Sequence, residues 1–281
     1  MKFANIRTLL AAACCAAGAA RAQIELVTNA APQCVFFGEA RSISATFHNS
    51  GGQDFGQDVR AVISQASSAT AAPLGERPWK FLRVLPQQTV LESARLDFPP
   101  VKAATKFVVQ WICGKAEVIG KTEVLVYPTN LLHELKALVG DNEDNLGVLD
   151  PHNQLKPALK HSAIHFVDLE QTEMDSFHGK LAMVGPCGPD DPEWRGLAER
   201  IARLAKNGTP VVWIQSPPQK RDKIWPTFFI VPENTNAVVM VRPELVADLP
   251  DHPQSQLNLI YFCKLAMQPE PFRLPELTSH P

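Results

Sequence analysis

The hydrophobic pattern of the chain changes character near its middle, and this change limits the folds that the chain can adopt. Between Gln23 and Tyr127 apolar and polar residues alternate over short stretches, as in residues 41–47 (RSISATF), and turn signals such as residues 49–52 (NSGG) separate the stretches. Alternation with a period of two is typical of strands that bury one face. Since this part shows no convincing helical pattern, it predicts an antiparallel, immunoglobulin-like β-sandwich over residues 23–128.

Beyond this point short apolar runs alternate with helical patterns. Leucines at helical spacing follow Tyr127 and predict a connecting helix. A longer helix is predicted over Pro192–Asn207, with Asp190 or Asp191 as its cap and Gly208 at its end. A final helix is predicted near residues 254–267.

The apolar runs of this second part lack the alternation with polar residues that would give a strand one polar face. Such runs suit the strands of a parallel sheet that is covered on both sides. They predict strands at residues 146–150, 163–169, 180–185, 210–215, 227–231 and 237–241. Strands that alternate with helices therefore predict a second domain over residues 129–281, with a doubly wound parallel α/β sheet.

The first 22 residues have the composition of a cleavable secretory signal. Two basic residues precede an apolar run over residues 9–17, and Ala20-Arg21-Ala22 forms a small-x-small cleavage site before Gln23. The apolar run is shorter than the roughly 20 residues that cross a bilayer, and no later run reaches that length. We therefore predict a secreted or periplasmic protein with no transmembrane segment.

A lipid anchor at Cys14 or Cys15 is the alternative interpretation of this leader. The residue three positions before Cys14 is Ala11, where a lipoprotein signal is expected to have leucine. The sequence therefore favours cleavage over lipid attachment.

The charge of the chain limits its partners. Removal of the leader leaves 24 of the 27 basic residues and all 29 acidic residues, so the mature chain carries a net charge of about −5. A mildly acidic chain without runs of lysine or arginine argues against a nucleic-acid or anionic-membrane partner. Protein and carbohydrate partners are compatible with this charge.

Four cysteines follow the leader, namely Cys34, Cys113, Cys187 and Cys263. Exported proteins retain disulfides, and the first two cysteines share the first predicted domain. We therefore predict a disulfide between Cys34 and Cys113. A bond between Cys187 and Cys263 is less favoured, because Cys263 lies in a helical apolar pattern that is typical of a buried thiol.

Two family resemblances accompany these patterns. In the first part, residues 47–52 (FHNSGG), residues 85–100 (LPQQTVLESARLDFPP) and residues 107–111 (FVVQW) resemble the Ig-like adhesion or accessory sandwiches of bacterial secreted proteins. This resemblance implies a spacer or binding module.

The second part resembles the class I glutamine-amidotransferase-like fold, including the non-catalytic copies inside some glycosidases. The resemblance lies in residues 145–151 (NLGVLDP), 180–186 (KLAMVGP) and 207–218 (NGTPVVWIQSPP). Catalytic members carry a glycine-flanked cysteine after the third of these segments, where this chain has Gln215 and no flanking glycine. The distal His-x-Glu pair has no counterpart, since His252-Pro253-Gln254 lacks the carboxylate. The resemblance thus implies a scaffold without amidotransferase chemistry.

Candidate binding residues follow from the position of the predicted strands. Ligands of open parallel sheets bind at the carboxyl ends of the strands. Six residues of this chain lie at those ends: Asp150, His152, Asp168, Cys187, Gln215 and Ser216. None is predicted to be catalytic, and Asp150 before Pro151 also fits a helix cap.

A hydrolase that uses Asp150, Asp168 and Cys187 is the alternative hypothesis. A thiol near the start of the helix predicted at Pro192 would have a lowered pKa, although no base is placed by the sequence. Zinc spacings and phosphate-binding glycine loops are absent, so no metal or cofactor is expected. The sequence favours an exported, non-catalytic binding or scaffold protein that is associated with envelope or polysaccharide processing.

Exposed tryptophans suggest a third hypothesis, a sugar-binding module. Trp111 and Trp213 fall inside predicted strands and are expected in the core. Trp79 and Trp225 lie beside prolines in predicted loops, so they are the candidates for a surface on which a sugar ring stacks.

Overall fold

The computed structural model describes residues 23–29, 31–67, 70–188, 190–215, 228–233 and 236–268. The predicted leader, Ser216 and Trp225 lie outside these residues. The described chain is mostly β-structure, with three sheets that mix parallel and antiparallel pairing and with few helices. It divides into two compact units at Tyr127/Pro128. No helix in the described ranges combines the length and apolar character that crossing a membrane requires.

The described part of the first unit has eight strands in two sheets. The strands are β1 (Ile24–Val27), β2 (Gln33–Phe36), β3 (Gly38–Asn49), β4 (Phe55–Ala66), β5 (Ala71–Val84), β6 (Thr89–Phe98), β7 (Thr105–Cys113) and β8 (Glu117–Tyr127). One sheet has the order β1-β3-β6 and the other β2-β8-β7-β4-β5. Inward side chains of both sheets, among them Phe47 and Phe107, form one apolar core.

One strand pair of this unit departs from the predicted antiparallel pattern. Strand β2 runs parallel to β8, while β3 runs antiparallel to β6. Only Phe37 separates β2 from β3, so the chain keeps its direction while it passes from one sheet to the other. Gly38 makes this passage with φ +130°, a value that residues with a side chain rarely adopt.

An aromatic cluster around Trp111 fills the centre of this core. The Trp111 indole is fully buried and donates its Nε1–H to Thr122 Oγ1 at 2.9 Å. The rings of Phe47 and Trp79 lie 5.9 and 4.8 Å from the Trp111 ring, measured between centroids. Trp79 is therefore a half-buried member of the cluster, and its predicted role as a free stacking surface is wrong.

The predicted Cys34–Cys113 disulfide is not formed. Cys34 pairs with Leu125 of β8, and Leu125 in turn pairs with Lys106 of β7. Cys113 lies at the far end of β7, about 23 Å from Lys106 at roughly 3.3 Å per residue. A disulfide needs Cα atoms within about 7 Å, so the strand register keeps the two thiols apart.

The second unit contains one sheet and four α-helices in its described residues. The strands are β9 (Leu146–Leu149), β10 (Val167–Asp168), β11 (Leu181–Val184), β12 (Val211–Ile214), β13 (Phe228–Glu233) and β14 (Asn236–Val241). The helices are α1 (His133–Val139), α2 (Lys156–His161), α3 (Leu197–Lys206) and α4 (Pro253–Met267). The sheet order is β10-β9-β11-β12-β14-β13, parallel except for β13. Two residues join β13 to β14, a link that permits only antiparallel pairing.

The two faces of this sheet belong to two separate apolar cores. In β11, for example, Leu181 and Met183 pack with residues of α1, α2 and α4, whereas Ala182 and Val184 pack with residues of α3. Helices thus lie against both faces of this sheet. Cys263 belongs to the first core and Cys187 to the second, so these two thiols cannot meet.

Two elements of this unit are shorter than predicted. The predicted strand at 163–169 is reduced to β10, because the residues before it close helix α2 through Ile164 N–H to Leu159 O at 3.0 Å. The helix predicted from Pro192 begins at Leu197. A 3₁₀ turn at Pro192–Trp194 and the left-handed Gly196 (φ +68°) precede it.

Candidate functional site

The carboxyl ends of β9 and β11 form the edge where sheet topology favours a ligand. After β9 the chain adds β10 on one side, and it then crosses to add β11 on the other. Crevices at such reversal points are the usual ligand sites of open parallel sheets. Four of the predicted residues lie at the strand ends there: Asp150 and His152 after β9, Asp168 at the end of β10, and Cys187 after β11.

Asp150 is fully buried and bonded to the backbone. Its Oδ1 accepts the N–H of Gln154 at 3.0 Å, and its Oδ2 accepts those of Leu155 and Lys156 at 2.7 and 2.9 Å. These N–H groups belong to the turn that opens α2, so the carboxylate takes the capping role that Pro151 suggested. It has no face left for a ligand.

The loop after β11 packs directly on Asp150. A Cβ atom on Gly185 would lie 2.7 Å from Asp150 Oδ1 and 3.3 Å from its Cα. A contact shorter than any normal van der Waals distance means that only glycine fits there. The space between the two strand ends is thus filled by the chain itself.

Asp168 is held by a lysine that sequence reasoning missed. Lys156 Nζ lies 3.1 and 3.0 Å from the two oxygens of Asp168 and 2.6 Å from Glu170 Oε1. The lysine side chain is only 8% exposed. Burial alone would lower the pKa of Lys156, but its hydrogen bonds to Glu170 and Asp168 outweigh burial and raise that pKa.

Cys187 is a buried thiol with a poor environment for a thiolate. Burial, followed by the carboxylates of Asp191 and Glu193, raises the pKa of Cys187 to about 11. The lowered pKa that we predicted from a nearby helix start is therefore wrong. Helix α3 begins at Leu197, and acidic side chains occupy the turn between the thiol and the helix.

His152 reaches across the edge to a carboxylate rather than to the thiol. Its Nε2 lies 3.1 Å from Asp191 Oδ2, which also accepts the Gly188 N–H at 2.6 Å, and the Asp191 carboxylate accepts a hydrogen bond from Cys187. The Gly188 bond, aided by His152, keeps the pKa of Asp191 below its usual value. A nucleophilic cysteine needs a base that takes its proton, whereas here the anionic carboxylate of Asp191 disfavours the thiolate.

Gln215 continues the sheet instead of turning away from it. Its N–H donates to Val241 O at 2.8 Å, one residue beyond the pairing of Ile214 with Val241. A nucleophile elbow requires a sharp turn immediately after the strand. The residues that would form such a turn, Ser216 among them, lie outside the described residues.

No metal centre is present among the described residues, where no three His, Cys, Asp or Glu side chains are grouped to hold an ion. Two neighbouring carboxylates, those of Asp168 and Glu170, already bind the Lys156 ammonium.

Comparison with known proteins adds little. No protein-family model matches the chain, and no curated protein is similar to it. A solved β-glucosidase from Listeria innocua in complex with glucose has 15% identity and a TM-score of 0.27, over 38% of this chain and 16% of that one. The alkylpurine DNA glycosylase AlkC of Pseudomonas fluorescens, bound to DNA containing an abasic site analog, has 16% identity and the same TM-score of 0.27, over 38% of this chain and 31% of that one.

A β-glucosidase from Erythrobacter marinus has 12% identity and a TM-score of 0.27, over 37% of this chain and 15% of that one. The chain thus spans less than a third of each of these structures. Likenesses this weak carry no argument about fold or activity.

Proposed function

We propose that this chain is an exported, non-catalytic binding or scaffold protein, associated with envelope or polysaccharide processing. In this proposal the first unit is an Ig-like β-sandwich that serves as a spacer or docking module. The second unit is a doubly wound α/β domain of the glutamine-amidotransferase-like type that has lost its chemistry.

One observation supports the proposal most strongly: the polar groups at the candidate edge are already used by the chain. Asp150 caps a helix turn, Asp168 holds a buried lysine, and His152 is paired with Asp191. Groups that already have internal hydrogen-bond partners do not need a ligand to satisfy them. The edge therefore suits a structural role.

The hydrolase remains the second candidate, because Cys187 follows a strand end beside a histidine-containing loop. Its difficulty is electrostatic, since a thiol with a pKa near 11 is almost wholly protonated at neutral pH. Activation would require displacement of Asp191 from the thiol.

The experiment uses the full chain, expressed with its leader in a bacterium and recovered from the periplasm or medium. We expect an intact mass that begins at Gln23, and we expect no hydrolysis of glutamine, p-nitrophenyl esters or peptide amides above that of the Cys187→Ala variant. A chain that keeps its first 22 residues contradicts the export. Turnover that the Cys187→Ala substitution abolishes contradicts the non-catalytic role and favours the hydrolase.

A further inference from the structure

We propose that a cleft on the solvent-facing side of the five-stranded sheet, built around the exposed ring of Phe81, binds a saccharide. This inference rests on the proposed binding function and names its ligand class. The cleft has a volume of about 620 Å³ and is lined by residues of β4, β5 and the turn after β7. Volumes of this order are typical of small-ligand sites.

The sheet presents Phe81 to solvent. In the antiparallel pair of β4 and β5, Phe81 lies opposite Asp58, and the neighbouring Val59 and Leu82 point into the core. Phe81 is 59% exposed, so most of an apolar ring is left in water. An exposed aromatic ring next to polar groups is a common element of binding sites.

A glycine fixes the ring in place. A Cβ atom on Gly56 would lie 3.2 Å from Phe81 Cζ, so the ring rests against the glycine backbone of the neighbouring strand. Rings that cover strand glycines also have a purely structural use. Here the contact holds the ring without burying it. The ring therefore loses less conformational entropy when a ligand stacks on it.

The polar side chains of the cleft include both a hydrogen-bond donor, Arg60, and acceptors, Asp58 and Glu76. Arg60 Nε lies 3.0 Å from Glu76 Oε1, and an Arg60 Nη2–H donates to Lys115 O at 2.6 Å. Asp58 is paired with Phe81 in the backbone ladder of β4 and β5, but its carboxylate makes no hydrogen bond or ion pair with any part of the chain that the structure describes.

This combination favours a polyhydroxyl ligand over a simple ion. A hydroxyl group both donates and accepts, so sugar hydroxyls can donate to the Asp58 carboxylate and accept from the guanidinium of Arg60, which lies on the same face of β4. The C–H face of a sugar ring supplies the apolar surface that stacks on Phe81. A cation would use only the acceptors, and an anion would be repelled by Asp58, because Arg60 and Glu76 neutralise each other in their ion pair.

The test is binding of the leaderless chain to a microarray of peptidoglycan fragments, chitin oligosaccharides and β-glucan oligosaccharides, with lysine-rich peptides on the same slide. Calorimetry then measures the affinity for the best saccharide. We expect Phe81→Ala to weaken that affinity by about tenfold or more, Phe81→Trp to retain it, and Asp58→Ala to weaken it severalfold. The matched control is Leu91→Ala, which removes an apolar side chain that is 72% exposed on the other sheet.

Three results overturn the site. They are an array without saccharide binding, binding to the lysine-rich peptides alone, and saccharide binding that Phe81→Ala weakens no more than Leu91→Ala does. The last result leaves the proposed binding function intact and removes only this site. Because Phe81 is exposed, we expect its variants to unfold at the same urea concentration as the parent chain, which separates lost binding from lost folding.

Discussion

Replacement of Asp150 with alanine is expected to lower the free energy of unfolding by about 3 kcal/mol. The carboxylate is fully buried and accepts three backbone N–H groups at the start of α2. Alanine leaves these donors without a partner in a site that water cannot enter, and it also opens a small cavity beneath Gly185. Urea denaturation followed by circular dichroism measures the change.

The control for this variant is Asp175→Ala. Asp175 is 49% exposed and pairs with Arg203 at 3.0 Å on the surface, so its removal is expected to cost less than about 1 kcal/mol. If both variants have the same urea midpoint as the parent chain, Asp150 is not the structural cap described here, and its carboxylate is available for another role.

Replacement of Lys156 with alanine is expected to cost about 2 kcal/mol, because it leaves two neighbouring carboxylates without their shared cation. Asp168 and Glu170 are 27% and 25% exposed, so water relieves part of the repulsion and keeps the cost below that of a fully buried pair. The raised pKa of Lys156 determines how its contribution to the free energy of unfolding depends on pH. Its contribution is complete below the ordinary lysine pKa and is lost as pH rises through the higher folded value.

Lys264→Ala is the matched control, since Lys264 is 51% exposed and its ion pair with Glu134 lies on the surface. Unfolding at pH 7 and at pH 11 separates the two sites. We expect the difference between the Lys156→Ala variant and the parent chain to shrink at the higher pH. An equal difference at both pH values would contradict the ionic role of Lys156.

The buried strands of the second unit are the elements that a sequence predicts best. Strands β9, β11 and β12 lie within one residue of the predicted runs at each end. Both of their faces are covered, so the apolar run and the strand have nearly the same limits. Strand β10 was predicted too long because apolar residues after α2 serve to end that helix, which the pattern alone does not distinguish from a strand.

A bulge explains why the exposed ring was assigned to the wrong residue. In the pairing of β4 with β5, Val59 lies opposite Lys80 and Arg60 opposite Pro78, so Trp79 is an extra residue between them. A bulge re-aims side chains. It sends Trp79 toward Trp111 and leaves Phe81 outside. A single sequence gives no signal for the position of such a bulge.

The sheet edge at which these side chains lie could be predicted from the sequence, but their partners could not. Position follows from strand ends, which place Asp150, Asp168 and Cys187 at one edge. Chemistry depends on partners that only the folded chain brings together. Lys156 is an ordinary lysine in a short helix, and the place of Asp191 beside Cys187 depends on a turn whose helix was predicted one turn too early.

The pH dependence of Cys187 alkylation tests the central claim most directly. Native protein is treated with iodoacetamide between pH 7 and pH 11.5, and mass spectrometry of the peptide that carries Cys187 gives the rate. With a pKa near 11, the thiolate fraction at pH 8 is on the order of 100-fold below that of an ordinary cysteine. We therefore expect slow labelling that rises about tenfold per pH unit up to pH 11. Rapid labelling at pH 7 with an apparent pKa below 8 would contradict the account, because it would show an activated thiol at the edge that we describe as structural.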